Sequence, residues 1–252
     1  DYRLKPTSPA LRLGFRPIRL VEVGNYASPD RRTWPRPEAK VLRDPADYSP
    51  PAHAAPSQPA LRDYEDYAVG EPERRAHVGQ EGAGTVAVTD ETAASGKHSL
   101  KFTDAAGLPH TFVPYVTYLM EMESGVLKAG FDLRVERGAQ FVYEWRDDPY
   151  SYNLGPNLAV DAEGWLAANG KRLLQLPHGQ WVRFDIACAL GPDATGTYDL
   201  TLRLPGDEPR LYRGLECSPK FRLLNCVVIM SVGDAPSVFY VDNVEFRPDG
   251  KG

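Results

Sequence analysis

The sequence has few cysteines, no long apolar run and no excess of positive charge. Its three cysteines, Cys188, Cys217 and Cys226, match no zinc-site spacing, and their odd number permits at most one disulfide. No apolar run exceeds five residues, as at 226–230, whereas a membrane-spanning helix needs about 20. The 29 Lys and Arg residues against 34 Asp and Glu give a net charge of −5. We therefore expect a soluble chain with neither nucleic acid nor a membrane as partner.

Helical periodicity is missing as well, and a period of two replaces it. Apolar and polar residues alternate over 127–136, 182–188 and 197–204, which predicts antiparallel strands with one buried face. Turn sequences such as Asn169-Gly170 separate these stretches. Many short strands at roughly 8 to 12 residue spacing predict an all-β fold, an antiparallel β-sandwich of the jelly-roll type. The longest strands are expected near 126–136, 180–190 and 236–246.

Proline divides the 252 residues into regions. Eleven of the 23 prolines lie within the first 60 residues, where they exclude a helix or a central strand. We predict a strand-like tail over 1–25, a Pro-rich extended connector over 26–60 and the sandwich over 61–252. Because the chain begins at Asp1 without a leader, we interpret it as a processed product or a fragment.

Several motifs resemble known jelly-roll families. The succession of strand, hairpin and Gly-x-Trp in 157–161, 164–166, 169–171 and 179–186 is similar to that of concanavalin-like and laminin-G-like jelly rolls. The residues at 64–66, 95–102 and 241–246 resemble those of jelly-roll carbohydrate-binding modules. Because a sandwich hosts many unrelated activities, these likenesses say more about fold than about function.

The opening residues 2–15 resemble the last coil of right-handed parallel β-helix proteins that environmental bacteria secrete, whose C-terminal extension often has this sandwich. Together the resemblances imply a non-catalytic carbohydrate-binding or accessory module of a secreted polysaccharide-processing protein. They imply a polysaccharide or oligosaccharide and an upstream β-helix domain as partners. The expected location is secreted, periplasmic or on the cell surface.

The resemblance to carbohydrate-binding modules also implies a structural calcium ion (Ca²⁺). Its ligands would be the carboxylates of Glu65 and Asp242 with turn carbonyls near Ser95 and Lys97, which meet if the first and last strands are neighbours. The alternative is that Asp242-Asn243 marks a bulge and that Glu65 is a solvated strand end.

The segment 141–153 is the richest in aromatic residues. Sugar rings have apolar faces edged by hydroxyls, so flat aromatic surface beside bidentate donors and acceptors is typical of a saccharide site. The predicted ligand residues are Tyr143, Glu144, Trp145, Arg146, Asp147, Tyr150 and Tyr152, joined in one hollow by His110, Tyr115 and Tyr118 from an earlier strand. Alternatively, Phe141, Tyr143 and Trp145 belong to the core, and Glu144 forms an exposed ion pair with Arg146.

Two other functions stay open at this point. A structural cap or assembly domain would bury the same aromatic residues and bind no glycan. A polysaccharide lyase or glycoside hydrolase would need a base such as His110 beside Arg146, or a carboxylate pair such as Glu144 with Asp148. The signature strands of known jelly-roll enzymes are absent, so we expect no catalytic residue in this chain.

Overall fold

The computed structural model describes residues 60–150 and 152–249, all of which lie in one compact unit. The strands are β1 (Ala60–Arg62), β2 (His77–Gly79), β3 (Thr85–Thr89), β4 (Ser99–Asp104), β5 (Tyr115–Met122), β6 (Gly125–Val135), β7 (Phe141–Arg146), β8 (Leu154–Val160), β9 (Trp165–Ala168), β10 (Lys171–Gln175), β11 (Val182–Leu190), β12 (Thr197–Arg203), β13 (Arg210–Glu216), β14 (Leu224–Ser231) and β15 (Ser237–Asp249). A 3₁₀ turn at Gly191–Asp193 follows β11. None of the described residues forms a helix that could cross a membrane. The predicted tail over 1–25 lies outside the described residues, and so does the predicted connector over 26–60 except for its last residue, Ala60.

The strands form two antiparallel sheets. One has the order β13-β12-β11-β6-β15-β4-β3, with β1 also paired to β15, and the other has the order β10-β9-β8-β7-β14-β5-β2. The long strand β15 pairs with β4 through its first residues and with β1 through Val244–Phe246, so the first and last strands are neighbours. The predicted all-β antiparallel sandwich is confirmed.

The core lies between the sheets, where the alternating apolar residues meet. The buried residues of β11 and β12 are those that the period of two predicted, including Phe184, Ile186 and Leu200. Phe131 of β6 stacks on Phe184 within its own sheet, with 4.8 Å between ring centroids. The Asn169-Gly170 turn joins β9 to β10 with φ values of 45° and 82°, the two positive angles of a type I′ hairpin turn.

The outer surface of the eight-stranded sheet is polar and centres on Arg183. Its guanidinium donates to Asp185 Oδ1 at 3.0 Å and to the Asn243 carbonyl at 3.1 Å, and it pairs with Glu245. The guanidinium lies directly over Gly130 of the neighbouring strand, where a Cβ would overlap it. The missing side chain of Gly130 therefore leaves the space that the guanidinium occupies.

Candidate functional site

Three of the predicted ligand residues are buried in the core. The side chains of Tyr118, Tyr143 and Trp145 are at most 1% exposed, because alternate residues of β5 and β7 face the core. The Tyr143 ring packs on Phe131 of the other sheet, with 4.6 Å between centroids. The Trp145 indole nitrogen donates to Tyr143 Oη at 2.9 Å, which satisfies both polar atoms inside the protein. These three rings are not available to a ligand, which corrects the prediction that they line a hollow.

The remaining side chains of β7 point the other way. Glu144 and Arg146 lie opposite Val228 and Cys226 of β14, and Asn157 of β8 lies opposite Glu144. We call the outer surface of the seven-stranded sheet around Glu144, Arg146 and Asn157 the Arg146 face. Because its side chains come from adjacent strands of one sheet, their spacing is set by the strand pairing.

Glu144 joins the other two residues of the Arg146 face. Arg146 donates to Glu144 Oε2 through two nitrogens, at 2.8 and 2.6 Å, and Asn157 Nδ2 donates to Glu144 Oε1 at 3.0 Å. Only 12% of the Glu144 side chain and 16% of the Arg146 side chain are exposed, so this is not the exposed ion pair of the alternative interpretation. Charge-assisted bonds at such low exposure hold the guanidinium in one orientation.

The loop after β7 places a ring on that guanidinium. The Tyr152 ring lies 4.2 Å from the Arg146 guanidinium carbon, and Tyr152 is 39% exposed. Asp147 accepts two hydrogen bonds from Asn153, at 2.6 Å from the backbone nitrogen and 2.8 Å from Nδ2. Asp147 therefore fixes the loop. Tyr150 is 91% exposed beside it, so both Tyr150 and Tyr152 present accessible aromatic surface.

A second polar group lies at the β2 edge of the same sheet. His77 Nε2 is 3.2 Å from Tyr115 Oη, and the Tyr115 ring lies flat on Gly79, where a Cβ would overlap it. His110 Nδ1 is 2.9 Å from Glu81 Oε1, and the Phe112 ring bridges His110 and Tyr115. The sequence pattern missed His77, because β2 has only three residues and shows no periodicity.

Apolar side chains separate the two polar groups. Cys226, Val228 and Met230 of β14 form a second, smaller apolar cluster with Tyr115 and neighbouring valines. Burial raises the pKa of the Cys226 thiol, which keeps it protonated. Leu119 of β5, opposite Cys226, is 69% exposed. The centre of the face is therefore apolar and flanked by hydrogen-bonding groups.

The predicted calcium ligands do meet at one loop. Glu65 Oε1 accepts from the backbone nitrogens of Lys97 and His98, both at 2.8 Å, and these bonds lower its pKa. Asp242 Oδ2 accepts from the backbone nitrogen of Ser95 at 3.2 Å, and burial raises the pKa of Asp242 to about 7.

The expected bulge is present, with a register shift after Asp242 and a φ of 49° at Asn243. Both carboxylates accept backbone donors, so they close the loop by hydrogen bonds. In the described part of the chain, no three His, Cys, Asp or Glu side chains group closely enough to hold a metal ion. The calcium ion stays a prediction.

Comparison with known proteins extends the fold assignment. No family model and no curated protein matches this sequence. An endo-β-1,4-glucuronan lyase from the fungus Trichoderma reesei superposes with a TM-score of 0.51 and 11% sequence identity, over 72% of this chain and 95% of the lyase. The cellulose-induced protein Cip1 superposes with a TM-score of 0.51 and 14% identity, over 75% of this chain and 96% of its own. The described residues form a jelly-roll β-sandwich. At these identities the likeness shows the fold alone.

Proposed function

We propose that this chain is a carbohydrate-related jelly-roll domain that binds a polysaccharide on the Arg146 face. The observation that carries the proposal is the half-exposed Tyr152 ring, held on a guanidinium that Glu144 fixes in place. Such a pair offers a flat apolar surface and directed donors to one sugar ring. Exposed Tyr150 in the same loop and exposed Leu119, two strands away on β5, add apolar surface.

The fold neighbours support this class of ligand. One of them is a lyase of glucuronan, and the other is a protein induced by cellulose. Glucuronan is a chain of uronic acids and cellulose is neutral, so both charged and uncharged glycans belong in the test. A structural domain without a ligand is the competing interpretation, and the same experiment addresses it.

Affinity electrophoresis tests the proposal directly. We expect the wild-type protein to be retarded in gels that contain glucuronan, hydroxyethylcellulose or xylan, and the Tyr152→Ala variant to bind at least about tenfold more weakly. Leu211→Ala is the control, since Leu211 is exposed on the other sheet. Equal retardation of Tyr152→Ala and wild type on every gel, or no retardation of wild type on any, would overturn the proposal.

Cleavage by β-elimination is a second candidate, favoured by the His77–Tyr115 pair. In this reaction a base removes the proton at carbon 5 of a uronate. The carbon 4–oxygen bond then breaks as the double bond forms, and an acid protonates the leaving oxygen. His77 and Tyr115 could supply the base and the acid. Two strand spacings and four residues, about 16 Å, separate Tyr115 from Arg146, too far for one carboxylate to touch both. Binding is therefore the first proposal.

The ultraviolet absorbance of the new double bond distinguishes the two functions. A lyase would raise the absorbance of a glucuronan or alginate solution, and Tyr115→Phe would abolish the rise, while Tyr150→Phe would not. An unchanged absorbance with both polymers would reject catalysis and leave the binding proposal intact.

We also propose a structural calcium ion at the loop that Glu65 and Asp242 hold. Calcium prefers carboxylate and carbonyl oxygens, and only one Glu65 oxygen is used by the backbone. At pH 8, calcium should raise the unfolding temperature of the wild type and not of Glu65→Gln. A wild-type midpoint that is the same with calcium and with chelator would reject the ion.

Secretion and an upstream β-helix domain remain proposals that rest on the resemblance of residues 2–15. Detecting the protein in the medium of its source organism, and not in the cells, would support secretion. Sequencing the encoding gene tests the upstream domain: an open reading frame without β-helix coils ahead of residue 1 would refute it.

A further inference from the structure

A cleft among the described residues lies away from the Arg146 face. It has a volume of about 760 Å³, and it lies where the turns after β6, β8, β10 and β12 meet. Its polar side chains are Arg137, Glu163, Gln175, His178, Gln180 and Asp207. We call it the His178 cleft. Arg137 precedes β7 and Arg146 ends it, so most of that strand, roughly 17 Å, separates the two sites.

Backbone hydrogen bonds tie these turns to one another. The Gly138 nitrogen donates to the Ala162 carbonyl at 3.2 Å, and the Leu176 nitrogen donates to the Gly164 carbonyl at 2.8 Å. Gln175 Nε2 donates to the Glu163 carbonyl at 2.7 Å. The cleft is therefore preformed, so binding a ligand there would cost the protein little conformational entropy.

Several polar side chains in the cleft have no hydrogen-bond or ion-pair partner among the described residues. Within the described part of the chain, the side chains of Arg137, Glu163, His178 and Gln180 enter no hydrogen bond or ion pair. Asp207, by contrast, pairs with Arg210 at 2.7 Å. The His178 ring packs on Gly164, whose φ of 87° and missing side chain make the room for it. These donors and acceptors line one cleft and are available to a ligand.

The composition of the cleft selects a ligand class. The apolar part of the lining consists of aliphatic groups from Leu176, Pro177, Leu204 and Pro205, and no Phe, Tyr or Trp lines the cleft, so it offers no platform for a nucleobase. One arginine against two carboxylates does not suit a polyphosphate. Mixed donors and acceptors beside aliphatic groups suit hydroxyl groups, which both donate and accept.

We propose that the His178 cleft is a second saccharide site, which takes the end of an uncharged oligosaccharide. Glu163 would accept from a sugar hydroxyl, and Arg137 and Gln180 would donate to others. The cleft is independent of the Arg146 face, so either site can exist without the other. A pocket of this volume accommodates a ligand of one or two sugar rings.

Nuclear magnetic resonance titration with cellotetraose and xylotetraose tests the cleft. We expect the side-chain amides of Gln175 and Gln180 and the His178 ring to shift on titration. Arg137→Met and Glu163→Gln should each weaken this response about tenfold, the loss of a hydrogen bond worth about 1.4 kcal/mol. The controls are Arg213→Met and Glu208→Gln, exposed residues that do not line the cleft.

The outcomes separate this proposal from the Arg146 face. Tyr152→Ala should leave the cleft resonances responsive to the neutral probes. If neither neutral probe shifts them, or if Arg137→Met and Glu163→Gln respond like wild type, the second site is refuted. Tighter binding of a glucuronic acid tetrasaccharide than of cellotetraose would refute its selectivity for uncharged sugars.

Discussion

At the scale of single residues, neighbours in β7 have opposite surroundings. Trp145 is fully buried in the core, whereas the Arg146 guanidinium next to it reaches the outer surface under Tyr152. A strand alternates its side chains, so one segment can supply both core rings and ligand-facing charges. Substitutions at adjacent positions should therefore affect different properties.

We expect Trp145→Ala to lower the free energy of unfolding by about 3 to 5 kcal/mol, because it leaves a cavity and an unpaired Tyr143 hydroxyl. Tyr150→Ala should change it by less than about 0.5 kcal/mol, since its side chain is almost fully exposed. Urea unfolding monitored by far-ultraviolet circular dichroism, which does not require a tryptophan probe, measures both values. A cost below about 1 kcal/mol for Trp145→Ala would contradict its placement in the core.

At the scale of elements, the sequence pattern predicts strands better than it predicts faces. The alternation in β6, β11 and β12 identifies the buried residues because the opposite rows are charged or polar. In β7 both rows of side chains carry polar atoms, so the sequence does not show which row is buried. The contact between Phe131 of β6 and Tyr143 of β7 decides this. Because it joins strands of different sheets, it leaves no local signal in the sequence.

Sites that combine distant turns are equally hidden from local patterns. The His178 cleft joins four turns between residues 137 and 207, and none of them has a recognisable motif. The meeting of Glu65 and Asp242 at one loop was predicted on the condition that the first and last strands are neighbours, and the pairing of β1 with β15 fulfils that condition. Sequence reasoning therefore found the loop residues and missed the cleft.

The pairing of β6 with β11 carries its own prediction. Gly130→Ala should lower the free energy of unfolding by about 1 to 3 kcal/mol, because the added methyl displaces the Arg183 guanidinium and breaks its bonds to Asp185 and Glu245. In an Arg183→Ala background the same substitution should cost less than about 1 kcal/mol, since the guanidinium is then absent and the next neighbour, Asp185 Oδ1 at 3.0 Å from the added carbon, has to move only slightly. A double-mutant cycle in urea measures the difference. Equal costs in both backgrounds would mean that the guanidinium does not lie over Gly130.

At the scale of the whole molecule, the sandwich buries several phenol groups. Burial raises the pKa values of Tyr64, Tyr118, Tyr143 and Tyr198 well above the ordinary value of about 10. Burial also raises the pKa of Tyr240, to about 12, with a further contribution from its hydrogen bond to a carboxylate. Tyr118 and Tyr143 lie in one sheet and Tyr198 and Tyr240 in the other, so ionisation of these groups is linked to unfolding of the entire domain.

The consequence is a loss of stability in alkali. Because the folded pKa values exceed the unfolded ones, the stabilising contribution is complete below about pH 10 and declines as the pH rises from about 10 towards 12. Tyr240→Phe should reduce this decline by about 1 to 2 kcal/mol, whereas Tyr150→Phe, which changes an exposed ring, should not alter it. Urea midpoints between pH 8 and 11, together with phenolate absorbance, measure both. Exposed rings such as Tyr150 and Tyr152 should ionise before unfolding. If the whole phenolate signal develops at the pH of free tyrosine before unfolding begins, the buried phenols are not held in the core and the packing of the two sheets described above is wrong.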